Sequence, residues 1–203
     1  MTETVTLVGA GPGGAELVTR GGGAALRQAD AVVYDRLVDE GILDLIPKGA
    51  ERICVGKKMG HHPVPQDEIN ALLVRLARQG KRTVRLKGGD CYLFGRGGVE
   101  SEYLEAHGVP CRVLPGVTSA LAAPAFAGIP VTHRDFCSSV HIVTAHARAE
   151  KPLCIDFEAL VRTGGTLVFL MGLTALRQVT DGLAAAGMPQ DMPAAVIENG
   201  ARG

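Results

Sequence analysis

Two glycine-rich turns, one aspartate and a scatter of basic residues carry the chemistry that can be read from this 203-residue chain. The first turn, Gly9-Ala10-Gly11-Pro12-Gly13-Gly14, follows an apolar run and fits the pattern G-x-G-x-x-G. Asp35 closes the next apolar run at the spacing expected of a ribose-binding acid. Alone, this describes a nicotinamide or flavin enzyme. Pro12, however, removes one backbone N–H from the loop that would cradle a pyrophosphate, and Gly21-Gly22-Gly23 weakens the helix whose N-terminus would hold it. A plain tight turn accounts for the same residues.

The second turn is more informative. Val84-Arg85-Leu86-Lys87 leads into Gly88-Gly89-Asp90, and the stretch continues through Leu93, Phe94 and Arg96 to Gly97-Gly98. It combines a strand-like run with five glycines, an acid, an arginine and aromatic residues. Loops at the carboxyl ends of strands are where open α/β sheets bind ligands. Adjacent glycines let a ligand approach the backbone, whose N–H and C=O groups are expected to grip a carboxylate, an ammonium group or a ribose.

Elements able to position these turns follow from hydrophobic periodicity. Strands are predicted over 5–8, 31–34, 52–55 and 83–86, and in the second half over 140–144, 166–170 and 194–197. A helix is predicted over 66–79, where Ile69, Leu72, Leu73 and Leu76 recur at helical spacing and Gly80 provides a stop. Further helices are expected over 119–127 and 175–186. The glycine triplet predicts a first helix that starts late or frays. Alternating strands and helices define an α/β fold with parallel strands, here in two domains, 1–115 and 116–203.

Composition narrows the function classes. Apolar residues make up 46% and charged residues 21%, enough for a sizeable core, and tryptophan is absent. The formal net charge of zero gives no electrostatic case for a nucleic-acid or membrane partner. No apolar run approaches a membrane span, and five dispersed cysteines without a C-x-x-C pair read as free thiols, so a cytoplasmic protein is expected. No metal is expected, because His61-His62 and the pair His141 and His146 offer no convergent ligand set.

The chain resembles the tetrapyrrole methylases, and within them the uroporphyrinogen-III C-methyltransferases. The resemblance rests on Val8-Gly9-Ala10-Gly11-Pro12-Gly13, Tyr34-Asp35-Arg36-Leu37-Val38, Val55-Gly56-Lys57-Lys58, Arg85-Leu86-Lys87-Gly88-Gly89-Asp90, Pro115-Gly116-Val117-Thr118-Ser119, Thr132-His133-Arg134-Asp135, Met171-Gly172-Leu173 and Glu198-Asn199-Gly200. It implies two α/β domains with the active site in the cleft between them, and a homodimer. It also implies methyl transfer from S-adenosyl-L-methionine to C2 and C7 of uroporphyrinogen III, giving precorrin-2 by way of precorrin-1. Carried over by position, cofactor contacts fall on Pro12, Gly88, Gly89, Asp90, Leu93, Thr118, Ser119, Met171 and Gly200. The proton acceptor and donor fall on Asp35 and Lys57.

A substrate with eight carboxylates calls for basic residues, and Arg36, Arg85, Lys87, Arg96 and Arg134 lie on or beside the matched stretches. Some of these are expected to be ordinary solvated charges. Asp35 reads equally as a turn cap, and Lys57 as a surface lysine. The chain departs from the family pattern at Gly14, at Arg20-Gly21 and at Ala145. Family members extend some tens of residues past the position of Gly200. The C-terminal domain is therefore expected to be incomplete, or cut from a fusion with a uroporphyrinogen-III synthase. The alternatives are a methylase of a later corrinoid precursor, a dinucleotide-dependent oxidoreductase, and a fragment that binds cofactor without a complete site.

Overall fold

A computed structural model describes residues 2–56, 64–146 and 153–201. They form two compact units, one of residues up to 122 together with 200 and 201, the other of residues 123–199. The division falls within helix α5 (Ser119–Phe126).

In the first unit, β1 (Val5–Gly9), β2 (Ala31–Tyr34), β3 (Glu51–Cys54), β4 (Thr83–Lys87) and β5 (Cys111–Leu114) form one parallel sheet in the order β3-β2-β4-β1-β5. Every pairing in it is parallel, so the carboxyl ends of all five strands lie along one edge. Helices α1 (Arg20–Arg27), α2 (Glu40–Leu43), α3 (Gln66–Arg78) and α4 (Gly97–Ala106) complete the unit.

Alternation along the strands feeds two cores. Val8, Val32, Val84 and Leu86 pack with Leu26 of α1 and Ile42 of α2. Val5, Ala31 and Val33 pack on the opposite face with Leu73 and Leu76 of α3 and Leu104 of α4. A sheet covered on both faces is what parallel strands require. α3 ends as its sequence predicts: Gly80 takes a φ of +76°. The N–H groups of Gly80 and Lys81 then donate to the carbonyls of Ala77 and Leu76.

α1 does start late, at Arg20, with the Thr19 hydroxyl capping Gly22 N–H at 3.1 Å. The glycine triplet nevertheless lies inside the helix rather than fraying it. A Cβ on Gly22 would fall 2.9 Å from Val8 Cγ1, so the bare helix face lets α1 settle onto β1. Packing offsets the propensity cost.

The second unit holds β6 (Val140–Thr144) paired in parallel with β7 (Thr166–Leu170). Helices α6 (Phe157–Thr163) and α7 (Leu176–Ala185) pack with them around Ala145, Ala175 and Val179. Asp156 caps α6 by accepting from Ala159 N–H at 2.9 Å. The strand predicted over 194–197 does not form. A strand exists only by pairing, and among the described residues β6 and β7 pair only with each other in this unit.

Candidate active site

Three loops of the first unit interlock at the carboxyl edge of the sheet. Gly11 and Gly89 form a two-residue antiparallel bridge, Gly89 N–H donating to Gly11 O at 2.8 Å and Gly11 N–H to Gly89 O at 3.1 Å. Ala10 N–H donates to Lys87 O at 2.7 Å. Gly9 and Gly116 meet so closely that a Cβ on either would overlap the backbone of the other, and each such Cβ would also strike Gly89 O. The ends of β1, β4 and β5 are therefore welded backbone to backbone, which only glycine permits.

Asp90 fastens this junction. Its Oδ2 accepts from Gly116 N–H at 3.0 Å, and its Oδ1 accepts from Tyr92 and Leu93 N–H at 2.8 and 3.0 Å. The carboxylate thus organises its own loop and pins the loop that follows β5.

These bonds engage the Gly89 N–H and C=O with Gly11. What Gly89 offers is the space where a side chain would be. Its φ is +65°, and a Cβ there would meet only Ser119 N, at 3.9 Å. By contrast, a Cβ on Gly88 would fall 2.8 Å from Leu37 Cβ, a packing constraint. Beside Gly89, Thr118 starts α5: its hydroxyl accepts from Ala120 N–H at 3.2 Å and its carbonyl from Leu121 and Ala122 N–H. Pro12 and Leu93 are half-buried, and the Ala201 carbonyl packs onto Gly13, which brings Gly200 to the first glycine turn. Beyond Leu93 the loop passes through two left-handed residues, Phe94 (φ +53°) and Arg96 (φ +60°), before α4 begins.

Arg85 and Lys87 do not face a substrate, which corrects their assignment as carboxylate-binding residues. Both are buried, 3% and 5% exposed, on the sheet face covered by α3 and α4. There the wholly buried Glu100 of α4 takes both on Oε1, from Arg85 Nε at 3.0 Å and Lys87 Nζ at 3.1 Å. Gln66 Nε2 of α3 joins the same oxygen at 3.2 Å and also donates to Asn70 Oδ1 at 3.0 Å. Arg85 Nη1 reaches the carbonyls of Val33 and Leu86. Burial, reinforced by the neighbouring Arg85, pulls the Lys87 ammonium below the ordinary lysine range despite the pairing with Glu100. Glu100 was not legible in the sequence. The alternation Thr83-Val84-Arg85-Leu86-Lys87 reads as a half-solvated strand, yet β4 lies between β2 and β1 with both faces covered.

The remaining site residues are placed as follows. Asp35 leaves β2 half-buried, its Oδ1 accepting from Leu37 N–H at 3.0 Å, an Asx turn. Arg36 and Arg96 are exposed. Arg36 is fitted against Gly56, where a Cβ would fall 2.6 Å from Arg36 Cγ. Lys57, His61 and His62 lie outside the described residues. In the second unit, Arg134 is exposed, and Met171 follows β7 with a φ of +57° and 51% exposure. Among the described residues no His/Cys/Asp/Glu group could hold a metal ion, and no helix is long and apolar enough to cross a membrane.

The first glycine turn is not a pyrophosphate site. A dinucleotide fingerprint needs a helix opening directly from the loop. Here the chain makes a single 3₁₀ turn over 15–17 and starts α1 only at Arg20. Gly11 N–H, which would face a phosphate, is bonded to Gly89.

An open glycine turn welded into the carboxyl edge of a β3-β2-β4-β1-β5 sheet is a candidate ligand site without phosphate-loop geometry. The model of the tetrapyrrole (corrin/porphyrin) methylases matches residues 4–202, and the chain belongs to that family. Among its relatives, the porphyrin biosynthesis protein HemD of Ruminiclostridium josui is 54% identical over 98% of this chain and 39% of its own length. A siroheme synthase of Salmonella schwarzengrund is 52% identical over 97% of this chain and 42% of its own. The chain thus spans about two fifths of the length of these curated relatives. The uroporphyrin-III C-methyltransferase of Thermus thermophilus, solved with S-adenosyl homocysteine, is 43% identical. It aligns with a TM-score of 0.76 over 91% of this chain and 77% of its own. Membership removes the oxidoreductase alternative.

Proposed function

We propose that this chain methylates uroporphyrinogen III at C2 and C7 with S-adenosylmethionine, giving precorrin-2 by way of precorrin-1 in siroheme or cobalamin biosynthesis. The observation that carries the reading is the open left-handed turn at Gly89, held by Gly9, Gly11, Asp90 and Gly116, in a chain of the tetrapyrrole methylase family. When bound, S-adenosylmethionine supplies a methyl group on a positively charged sulfur, which an electron-rich pyrrole carbon attacks.

The residues fit such a group. Gly89 leaves room for it, the start of α5 at Thr118 and Ser119 lies beside that room, and Asp90 keeps the loop in shape. Pro12, Gly88, Leu93, Met171 and Gly200 are assigned to the same cofactor by resemblance. Holding donor and acceptor in line removes most of the entropic barrier, so positioning is the first task of the protein. The second is the proton that the ring system gives up, from a position other than the methylated carbon, once the added methyl group has left it positively charged; Asp35 is assigned to accept it, with Lys57 as donor. Arg36, Arg96 and Arg134 are assigned to the substrate carboxylates, and the enzyme is read as a homodimer.

Incubation with S-adenosylmethionine and uroporphyrinogen III, followed by product mass, tests this. The expected product carries two added methyl groups. A chain that leaves uroporphyrinogen III unchanged but methylates precorrin-2 would instead be a sister enzyme acting later.

A further inference from the structure

We infer that Glu100 is a positioning residue that clamps both ends of the cofactor loop, so that a buried ion cluster sets the affinity for S-adenosylmethionine. This rests on the reading of Gly88-Gly89-Asp90 as the cofactor turn.

The loop leaves β4 at Lys87 and re-enters regular structure at α4, which starts at Gly97. Glu100 stands in the first turn of α4, and its Oε1 binds the last and third-last residues of β4, Lys87 at 3.1 Å and Arg85 at 3.0 Å. One wholly buried oxygen therefore joins the entry of the loop to its exit. Gln66 at the start of α3 binds the same oxygen, and Arg85 extends the network to the Val33 carbonyl in β2. Four elements meet at this point, directly beneath Gly88 and Gly89 in the chain order of β4.

Stability alone does not call for such a cluster. Two cations and one anion taken out of water lose solvation that their attraction only partly returns, and apolar residues of similar volume fill such a core at least as well. What the cluster adds is direction. Hydrogen bonds from a guanidinium and an ammonium to one carboxylate oxygen fix the distance between β4 and α4, which interchangeable methyl contacts do not. A loop with both ends fixed is pre-organised, and a ligand that binds it loses less to ordering. The first turn of α4 also favours the carboxylate through the helix dipole.

The test is calorimetric titration of the full chain with S-adenosylhomocysteine, alongside urea unfolding. Glu100→Gln keeps the shape but removes the charge, and is expected to weaken binding by about tenfold or more. The KM for S-adenosylmethionine should rise more than kcat falls, and Glu100→Asp should restore part of the affinity. The triple variant Arg85→Met/Lys87→Met/Glu100→Leu removes all three charges together. It is expected to be at least as resistant to urea as the parent and yet to bind S-adenosylhomocysteine weakly, a combination that a purely stabilising role does not produce. Should Glu100→Gln fail to fold, the triple variant still decides. Binding within about twofold of the parent in either folded variant overturns the inference. A parent chain that does not bind S-adenosylhomocysteine at all overturns the cofactor reading with it.

Discussion

Replacing Gly89 by alanine separates backbone conformation from ligand space at a single atom. The added Cβ would meet only Ser119 N, at 3.9 Å, an ordinary contact, so no steric clash accompanies the change. The cost to the fold is the left-handed conformation at φ +65°, about 1–2 kcal/mol for a non-glycine residue. For a chain of this size that lowers the melting temperature by roughly 2–8 °C. The cost to binding is larger, because the methyl group occupies the space assigned to the cofactor. Forcing a methyl group into a filled contact costs about 1–3 kcal/mol, so the Kd for S-adenosylhomocysteine should rise about tenfold or more. Gly116→Ala is the contrasting variant. Its Cβ would overlap Gly9 and Gly89 O, backbone on both sides, and no rotamer relieves that. It should lose the fold of the edge rather than only the ligand. Calorimetry and thermal melts of both variants check the reasoning. Gly89→Ala binding S-adenosylhomocysteine as tightly as the parent, or Gly116→Ala as stable as Gly89→Ala, would refute it.

Asp35→Ala is expected to lower kcat far more than it weakens S-adenosylhomocysteine binding; loss of binding equal to loss of turnover would remove Asp35 from the role of proton acceptor. At the opposite, amino-terminal edge of the sheet, the Arg82 guanidinium and backbone N–H hold the Asp30 carboxyl down at about 2. A depressed carboxyl stabilises the fold above its unfolded pKa of 3.8 and loses that contribution as pH falls toward about 2. Urea midpoints of the parent and Asp30→Asn should therefore differ modestly at pH 7, both partners being partly exposed, and converge as the pH approaches 2. Burial, with the nearby Asp90 carboxylate, pushes the Cys91 thiol up to about 11. In the native protein at pH 8, Cys91 should stay unreactive toward a thiol reagent that labels the exposed Cys154, and react only on unfolding; the masses of labelled peptides report this.

The elements that positioned the site were largely legible because their signals are local. Ile69, Leu73 and Leu76 spaced along one helix, and short apolar runs closed by glycines or by Asp35, predict α3, β1, β4 and β2 within a residue or two. The strand expected over 194–197 failed for the complementary reason: an apolar run becomes a strand only when a neighbour pairs with it. The glycine triplet 21–23 misled in one respect, since propensity describes an isolated helix and α1 is held against Val8.

The candidate site divides in the same way. Residue types alone marked Gly88-Gly89-Asp90 as a place where a ligand approaches the backbone, because paired glycines are costly unless space or a positive φ is needed. They also marked the charges at Arg85 and Lys87. They could not say where those charges point. That depended on β4 lying at the centre of the sheet, on Glu100 arriving from a helix that starts ten residues after Lys87, and on Gly11 closing over Gly89 from another strand. Periodicity fixes which face of an element a residue occupies; whether that face meets solvent, substrate or a buried carboxylate is decided only by the partners that tertiary packing brings to it.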